Sequence, residues 1–524
     1  MKKRMMRGIL FVVAVTLLSG CGLQERPKKV PGDTSNKEET TSYAIDNKRY
    51  KEYSEVLEDI LEDEEWPDGT RVPSDWNGGY GYNKFAICDI NKDGNEELIV
   101  EISNVPVADM VTRVFDYDAK KDEVFEVYCG FPGMEFYDNG LVYQPASHGQ
   151  SGNMIYPYEL FQYNKETKEY DWLASAYSVE RNVPYSDYDP TNDEDQDGVI
   201  YYVSEELNDY PGTAYTKAEY EEWIAGKKEK AEKQYIPWEP LWGTSLENLE
   251  YLAGIEGAVK PIPINIGEKI TQYDVNGNGK RDRIQLVCDQ VDMDFGSDEW
   301  GLKWRLLVNG EAIFTFAEEY AFNVEVWLYR VSDERVYLLV KENCITNNDI
   351  HDVNLYQFSD GKIVERFECY GNIASNINEF HMGIDIGYIA EDKLQIIGWN
   401  QFNATAGLRW HMEYDYDAKN HQWKEANPEY KVVYDEWQED KEDGMVANQS
   451  FKVYKSYDSQ EEAFTASRGM TMFIESIRFH EGKTYFKVRT TRGQKGWFVD
   501  PEESYIERNG EWIEGYFEEA MFAG

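Results

Sequence analysis

Two stretches of the chain share one hydropathy pattern. In FAICDINKDGNEELIV, Phe85–Val100, an apolar run enters a polar loop rich in Asp and Asn, and a second apolar run leaves. The pattern returns in weaker form in ITQYDVNGNGKRDRIQLV, Ile270–Val287. Each predicts a strand, a tight loop and a second strand. Around them, Tyr- and Phe-rich segments alternate and break at polar turns. TRVFDYDAKKDEVFEVY breaks at Asp118–Lys121 and YELFQYNKETKEYDWLA at Asn164–Lys168, which predicts hairpins. VNLYQFSDGKIVERFECY and MEYDYDAKNHQWKEA repeat the plan.

Helical spacing is rarer. Tyr50, Tyr53, Leu57, Ile60 and Leu61 share one face, Asp46 or Asn47 can cap the helix, and Pro67-Asp68-Gly69 ends it. This helix is expected to pack on the sheet that carries the first loop. Thr216 and Glu219 form a capping box ahead of Tyr220, Trp223 and Ile224, and Thr244 and Glu247 open a second short helix. Pro261-Ile262-Pro263 then enters a second β-rich stretch as an extended segment. The fold class is mainly β with a minor α part: two β-rich, propeller-like or hairpin-repeat units with flanking helices. They span residues 48–235 and 236–430, and their loops begin 185 residues apart, at Asp89 and Asp274, as a duplication would leave them.

The ends set the compartment. Lys2, Lys3, Arg4 and Arg7 precede the apolar Ile9–Leu18, and Leu18-Ser19-Gly20-Cys21 resembles a lipobox. Residues 1–20 are expected to be a lipoprotein signal peptide, Cys21 the lipidated residue, and 21–47 a disordered tether. The formal charge of −46 argues against nucleic acid and against a polybasic membrane patch, so membrane contact is expected through the lipid anchor only, on the extracytoplasmic face. Five cysteines remain after Cys21, irregularly spaced and without a CxxC pair, which supports neither a zinc site nor a disulfide framework.

The two loops carry the chemistry. Calcium takes six to eight oxygen ligands, and a glycine at the sixth position lets the chain curl around it. Asp89, Asn91 and Asp93 stand at positions one, three and five, Gly94 at six, the Asn95 carbonyl at seven and Glu97 at nine. The second loop offers Asp274, Asn276, Asn278, the Lys280 carbonyl and Asp282. The twelfth position is Val100 or Gln285 rather than a bidentate Glu, so neither loop is an EF-hand. The pattern resembles the calcium loops of FG-GAP and VCBS-type repeats, which sit on β-hairpins of propeller-like domains; the resemblance implies structural Ca2+. A third acidic run, Asp193, Asp195, Asp197 and Gly198, has Tyr201 at position nine and reads as a solvated loop.

Residues 446–520 resemble a bacterial SH3-like (SH3b) domain. The resemblance is carried by Gly469, the Tyr485–Val488 strand and Gly493…Gly496-Trp497-Phe498; the Asn-Val-Arg start of that family is not found. Such domains are implicated in binding cell-wall peptides. His148 and Ser151 lack the nucleophile-elbow pattern, no HExxH pair exists, and there is no P-loop or dinucleotide fingerprint. The reading is a binding module for cell-wall glycan, peptide or an envelope protein, with no catalytic residue assigned. The alternatives are an envelope hydrolase targeted by the SH3-like part and a structural spacer. Trp76, among Gly78, Gly79 and Gly81, is the candidate binding platform.

Overall fold

The computed structural model describes residues 44–518 apart from 74–82, 146–157, 184–186, 208, 210, 242–243, 277, 279, 292–301, 319–320, 333–334, 345–349, 360–361, 370–382, 435–443, 503–504 and 509–510. The leader, Cys21, the tether up to residue 43, Trp76, His148 and Ser151 lie outside the described residues; residues 44–47, expected as the end of the tether, belong to the fold, Ala44 bridging Val259 and Asn47 opening the first helix. The chain is mostly β, and four small antiparallel sheets stand in a propeller-like ring with further sheets beside it.

The first sheet carries the first loop. Strands β1 (Lys84–Cys88), β2 (Glu97–Ile102), β3 (Val111–Asp118) and β4 (Glu123–Gly130) pair in chain order, and the chain returns at Glu239–Pro240 to pair with β1. Every residue of β2 is buried. Leu98, Val100 and Ile102 meet the core under the N-terminal helix, and Ile99 meets a core shared with the second sheet. A strand covered on both faces reads as a continuous apolar run, which is why EELIVEI shows no clean alternation.

Helix α1 (Asn47–Glu58) packs on this sheet as expected. Asp46 caps it, accepting from the Lys48 and Arg49 amides, and Tyr50, Tyr53 and Leu57 are at most 1% exposed. The helix runs on through one wide turn, Asp59–Asp63, and stops at left-handed Glu64, three residues before Pro67. The Asn47 side-chain amide donates to the carbonyls of Ala253 (3.0 Å) and Ile255 (2.6 Å) at the C-terminal end of a second helix, Thr244–Ala253. Those carbonyls would otherwise have no intrahelical partner.

The second sheet runs through Glu135–Phe136, Leu141–Gln144, Glu159–Asn164, Glu169–Glu180, Val199–Ser204 and Thr213–Tyr215 in spatial sequence. The predicted capping box at Thr216 and Glu219 is formed, and the helix it opens, Lys217–Lys228, buries Tyr220. Beyond the second loop comes a three-stranded sheet (Ile284–Val291, Leu302–Val308, Glu311–Glu318). A five-stranded one runs from Pro261–Pro263 through Ala321–Arg330 to Lys362–Glu368; the two share a core that includes Ile284, Leu306, Val326 and Leu338.

The last sheet is large. It begins at Gly383–Ile389, continues through Lys393–Phe402 and Ala406–Asp417 to Tyr430–Val433, and passes straight into Thr471–His480. The junction is the antiparallel pairing of Tyr430 with Ile477 and Lys431 with Ser476. Trp410, Met472, Phe486 and Val488, all at 0% exposure, belong to one core that crosses it. The C-terminal strands are thus hydrogen-bonded and packed onto the strands before them.

Candidate metal centre

The first loop closes where Cys88 pairs with Glu97 at the ends of β1 and β2. Inside it, the Asp93 amide donates to Asp89 Oδ1 (3.2 Å) and Asn91 Oδ1 (2.9 Å), the Gly94 amide to Asp89 Oδ2 (3.3 Å), and the Asn95 amide to Asp93 Oδ1 (2.9 Å). Backbone donors thus point inward and fix the Asx side chains. Gly94 has φ +95°, a conformation costly for any residue with a Cβ. One carboxylate oxygen each from Asp89, Asp93 and Glu97 lie within 4.8 Å of one another.

Glu97 does two jobs. Fully buried, it accepts from the Ile90 amide (2.9 Å) and from the Asn91 side-chain amide (2.6 Å), tying the ninth position to the second and third. Burial pushes its carboxyl up to about 9, the Ile90 amide opposing and Asp89, Asp116 and Asp93 adding to it. Burial also raises Asp89. Oxygen-only donors with converging negative charge suit a hard divalent cation, whose own charge would reverse both effects.

The second loop has the same wiring, each partner 185 residues on. Asp282, 2% exposed, accepts from the Val275 amide (2.9 Å) and the Asn276 side-chain amide (2.8 Å). The Asn278 amide donates to Asp274 Oδ1 (3.2 Å) and Asn276 Oδ1 (3.1 Å), and the Lys280 amide to Asn278 Oδ1 (2.8 Å). The Asp282 amide bonds the Tyr273 carbonyl (2.7 Å), the counterpart of the Glu97–Cys88 closure. Its incoming flank differs from the strand predicted there: Ile270 makes an isolated antiparallel bridge to Ile284, and upstream of it Ile266 bridges Leu286 in parallel while the Gly267 amide donates to the Leu286 carbonyl (2.8 Å). The loop brings two carboxylates, Asp274 and Asp282, against three in the first.

A scan of protein families and a search of curated proteins find no match to this chain.

The second acidic cluster that could hold a metal ion is the loop whose sequence reads as solvated. One oxygen each from Asp193, Asp195 and Asp197 lie within 4.8 Å of one another. Its backbone is a twin of the first loop. Position four is left-handed in both (Lys92 φ +58°, Gln196 φ +60°), and so is position six (Gly94 φ +95°, Gly198 φ +94°). The Gly198 amide donates to Asp193 Oδ2 (3.1 Å) and the Val199 amide to Asp197 Oδ1 (2.8 Å). The difference is at the anchor. Asp193 bonds the Tyr188 hydroxyl and the Arg181 guanidinium (2.9 Å), and these donors, Tyr188 foremost, lower its pKa. A cation of the protein's own already neutralises this carboxylate.

Several residues at the first loop escape a reading of the sequence because they come from afar. The Tyr163 hydroxyl, from the second sheet, donates to Asp93 Oδ2 (3.3 Å). Gln234 Nε2 donates to the Ile90 carbonyl (2.6 Å) and the Tyr137 carbonyl (3.0 Å), tying loop and second sheet together. On the other side, Arg49 and Tyr53 donate to the Glu96 carbonyl (2.9 and 2.8 Å) and the Tyr50 hydroxyl to its carboxylate (2.8 Å). The loop is therefore pinned at both shoulders, a preorganisation that lowers the ordering cost of binding an ion.

Proposed function

We propose that this chain is a cell-surface lipoprotein whose loops are braced by Ca2+ and whose work is binding, its partner a cell-wall glycan or peptide or another envelope protein. The observation that carries the calcium reading is the convergence of Asp89, Asp93 and Glu97 oxygens within 4.8 Å, on a loop whose wiring is repeated at Asp274–Asp282. Asp89, Asn91, Asp93, the Asn95 carbonyl and Glu97 would hold the first ion; Asp274, Asn276, Asn278, the Lys280 carbonyl and Asp282 would hold the second. The ion's role is structural, since the first loop joins two paired strands and the second leads from a bridged segment into the strand that starts at Ile284.

The lipoprotein part of the reading rests on the basic leader, the apolar run and Cys21. The binding role rests on the SH3b-like pattern of residues 446–520 and on the aromatic-rich strands. Mature protein mixed with purified cell wall should sediment with it in the presence of calcium and be released by EDTA. Protein that stays in the supernatant under both conditions contradicts the binding role.

A further inference from the structure

The first sheet, the five-stranded sheet and the start of the large sheet enclose a cavity of about 110 Å³. That is room for several waters or one small organic molecule. Its walls combine Trp327 and Leu339 with four charged side chains, Glu239, Lys260, Lys341 and Asp385.

Two of those charges are satisfied. Lys341 pairs with Asp385 at 2.5 Å and lies over the Trp327 ring, 4.6 Å from its centre. The Asp385 side chain is 54% exposed, so this pair marks the open side.

The other two are held more loosely. Glu239 is held at the edge of the first sheet by its pairing with Phe85, and its carboxylate has no hydrogen-bond donor among the described residues. Burial raises it to about 6 against the pull of Lys260. The Lys260 side chain is 13% exposed and makes a long ion pair with Glu96 at 4.0 Å, the other oxygen of that carboxylate accepting from the Tyr50 hydroxyl. A carboxylate and an ammonium group thus face one cavity, each short of partners and not paired with the other. Partly buried charges held this loosely gain from a ligand that hydrogen-bonds to both.

We propose that this cavity binds a small zwitterion of the α-amino-acid type, its ammonium group on Glu239 and its carboxylate on Lys260. A short apolar side chain would lie against Trp327 and Leu339. A simple amine would gain nothing at Lys260 and a simple acid nothing at Glu239, so a zwitterion gains at both ends. The volume selects small members of the class. The inference stands apart from the calcium reading, because none of these groups is a candidate calcium ligand.

The test is calorimetric titration and thermal shift of the full mature chain, in saturating calcium, with glycine, L-alanine and L-serine, and with ethylamine, propionate and L-phenylalanine as comparisons. The small amino acids should bind, and ethylamine, propionate and L-phenylalanine should each bind about tenfold more weakly or worse. Glu239→Gln and Lys260→Met should each weaken L-alanine by about tenfold or more. The comparison among ligands on the unmodified protein decides the matter even where a variant misfolds. No binding of any small amino acid, propionate or ethylamine equal to L-alanine, or a folded Glu239→Gln of unchanged affinity would overturn the proposal.

Discussion

At the scale of single residues, the first loop depends on a buried ion pair outside it. Arg49 and Asp116, each 6% exposed, meet at 2.5 Å, and the same guanidinium reaches the Glu96 carbonyl at the loop's exit. Arg49→Ala leaves Asp116 charged and buried, and should cost about 3–5 kcal/mol in urea unfolding. Arg49→Met with Asp116→Asn should recover much of that loss, because no charge is then stranded. Asp500 gives a pH signature. Burial pushes its carboxyl from 3.8 up to about 7, although the Ala404 (2.8 Å) and Asn403 (3.2 Å) amides oppose the shift. Between those values the folded chain holds a proton that the unfolded chain releases, so this contribution to stability falls as pH rises from about 4 to about 7. Asp500→Asn should flatten that slope; an unchanged stability profile over the window would contradict the assignment.

At the scale of elements, the acid at position nine is the hub of each loop as well as a candidate ligand. Asp282 accepts from the Val275 amide, the Asn276 amide and side chain, and the Asn309 side chain. Asp282→Ala strands these donors and should cost about 3–4 kcal/mol even without calcium, whereas exposed Asn278→Ala should cost about 0.5 kcal/mol or less. Equal effects in denaturant titrations would remove the hub. These loops are legible in the sequence because positions one to nine are close in the chain, and in the first loop the φ of +95° calls for Gly94. Helix α1 and the hairpins are legible for the same reason, through Asp46, Asp118–Lys121 and Asn164–Lys168. Tyr163 and Gln234 are not, since they reach the first loop from 70 and 144 residues away, and no local spacing encodes that approach. The 193–198 loop reads as merely solvated because Tyr201 replaces the acid at position nine, yet its backbone repeats that of the first loop. What stands in for the missing acid is an anchor built from Arg181 and Tyr188.

At the scale of the whole molecule, the chain carries a formal charge of −46. Self-repulsion of that size favours any cation that binds the folded state more than the unfolded one. The ring of sheets holds the first loop between helix α1 and the second sheet, while the C-terminal strands are joined to the body through Tyr430–Val433. The repeated loop wiring makes calcium the central claim. The direct measurement is calorimetric calcium titration and thermal unfolding of the mature chain beside its Asp89→Ala/Asp93→Ala variant. At roughly tenfold excess over Kd, one site should add about 1.4 kcal/mol of stability to the native protein, and the variant should bind one ion fewer and lose that increment. No calcium-dependent heat or stabilisation in the native chain, or an identical titration in the variant, would contradict it.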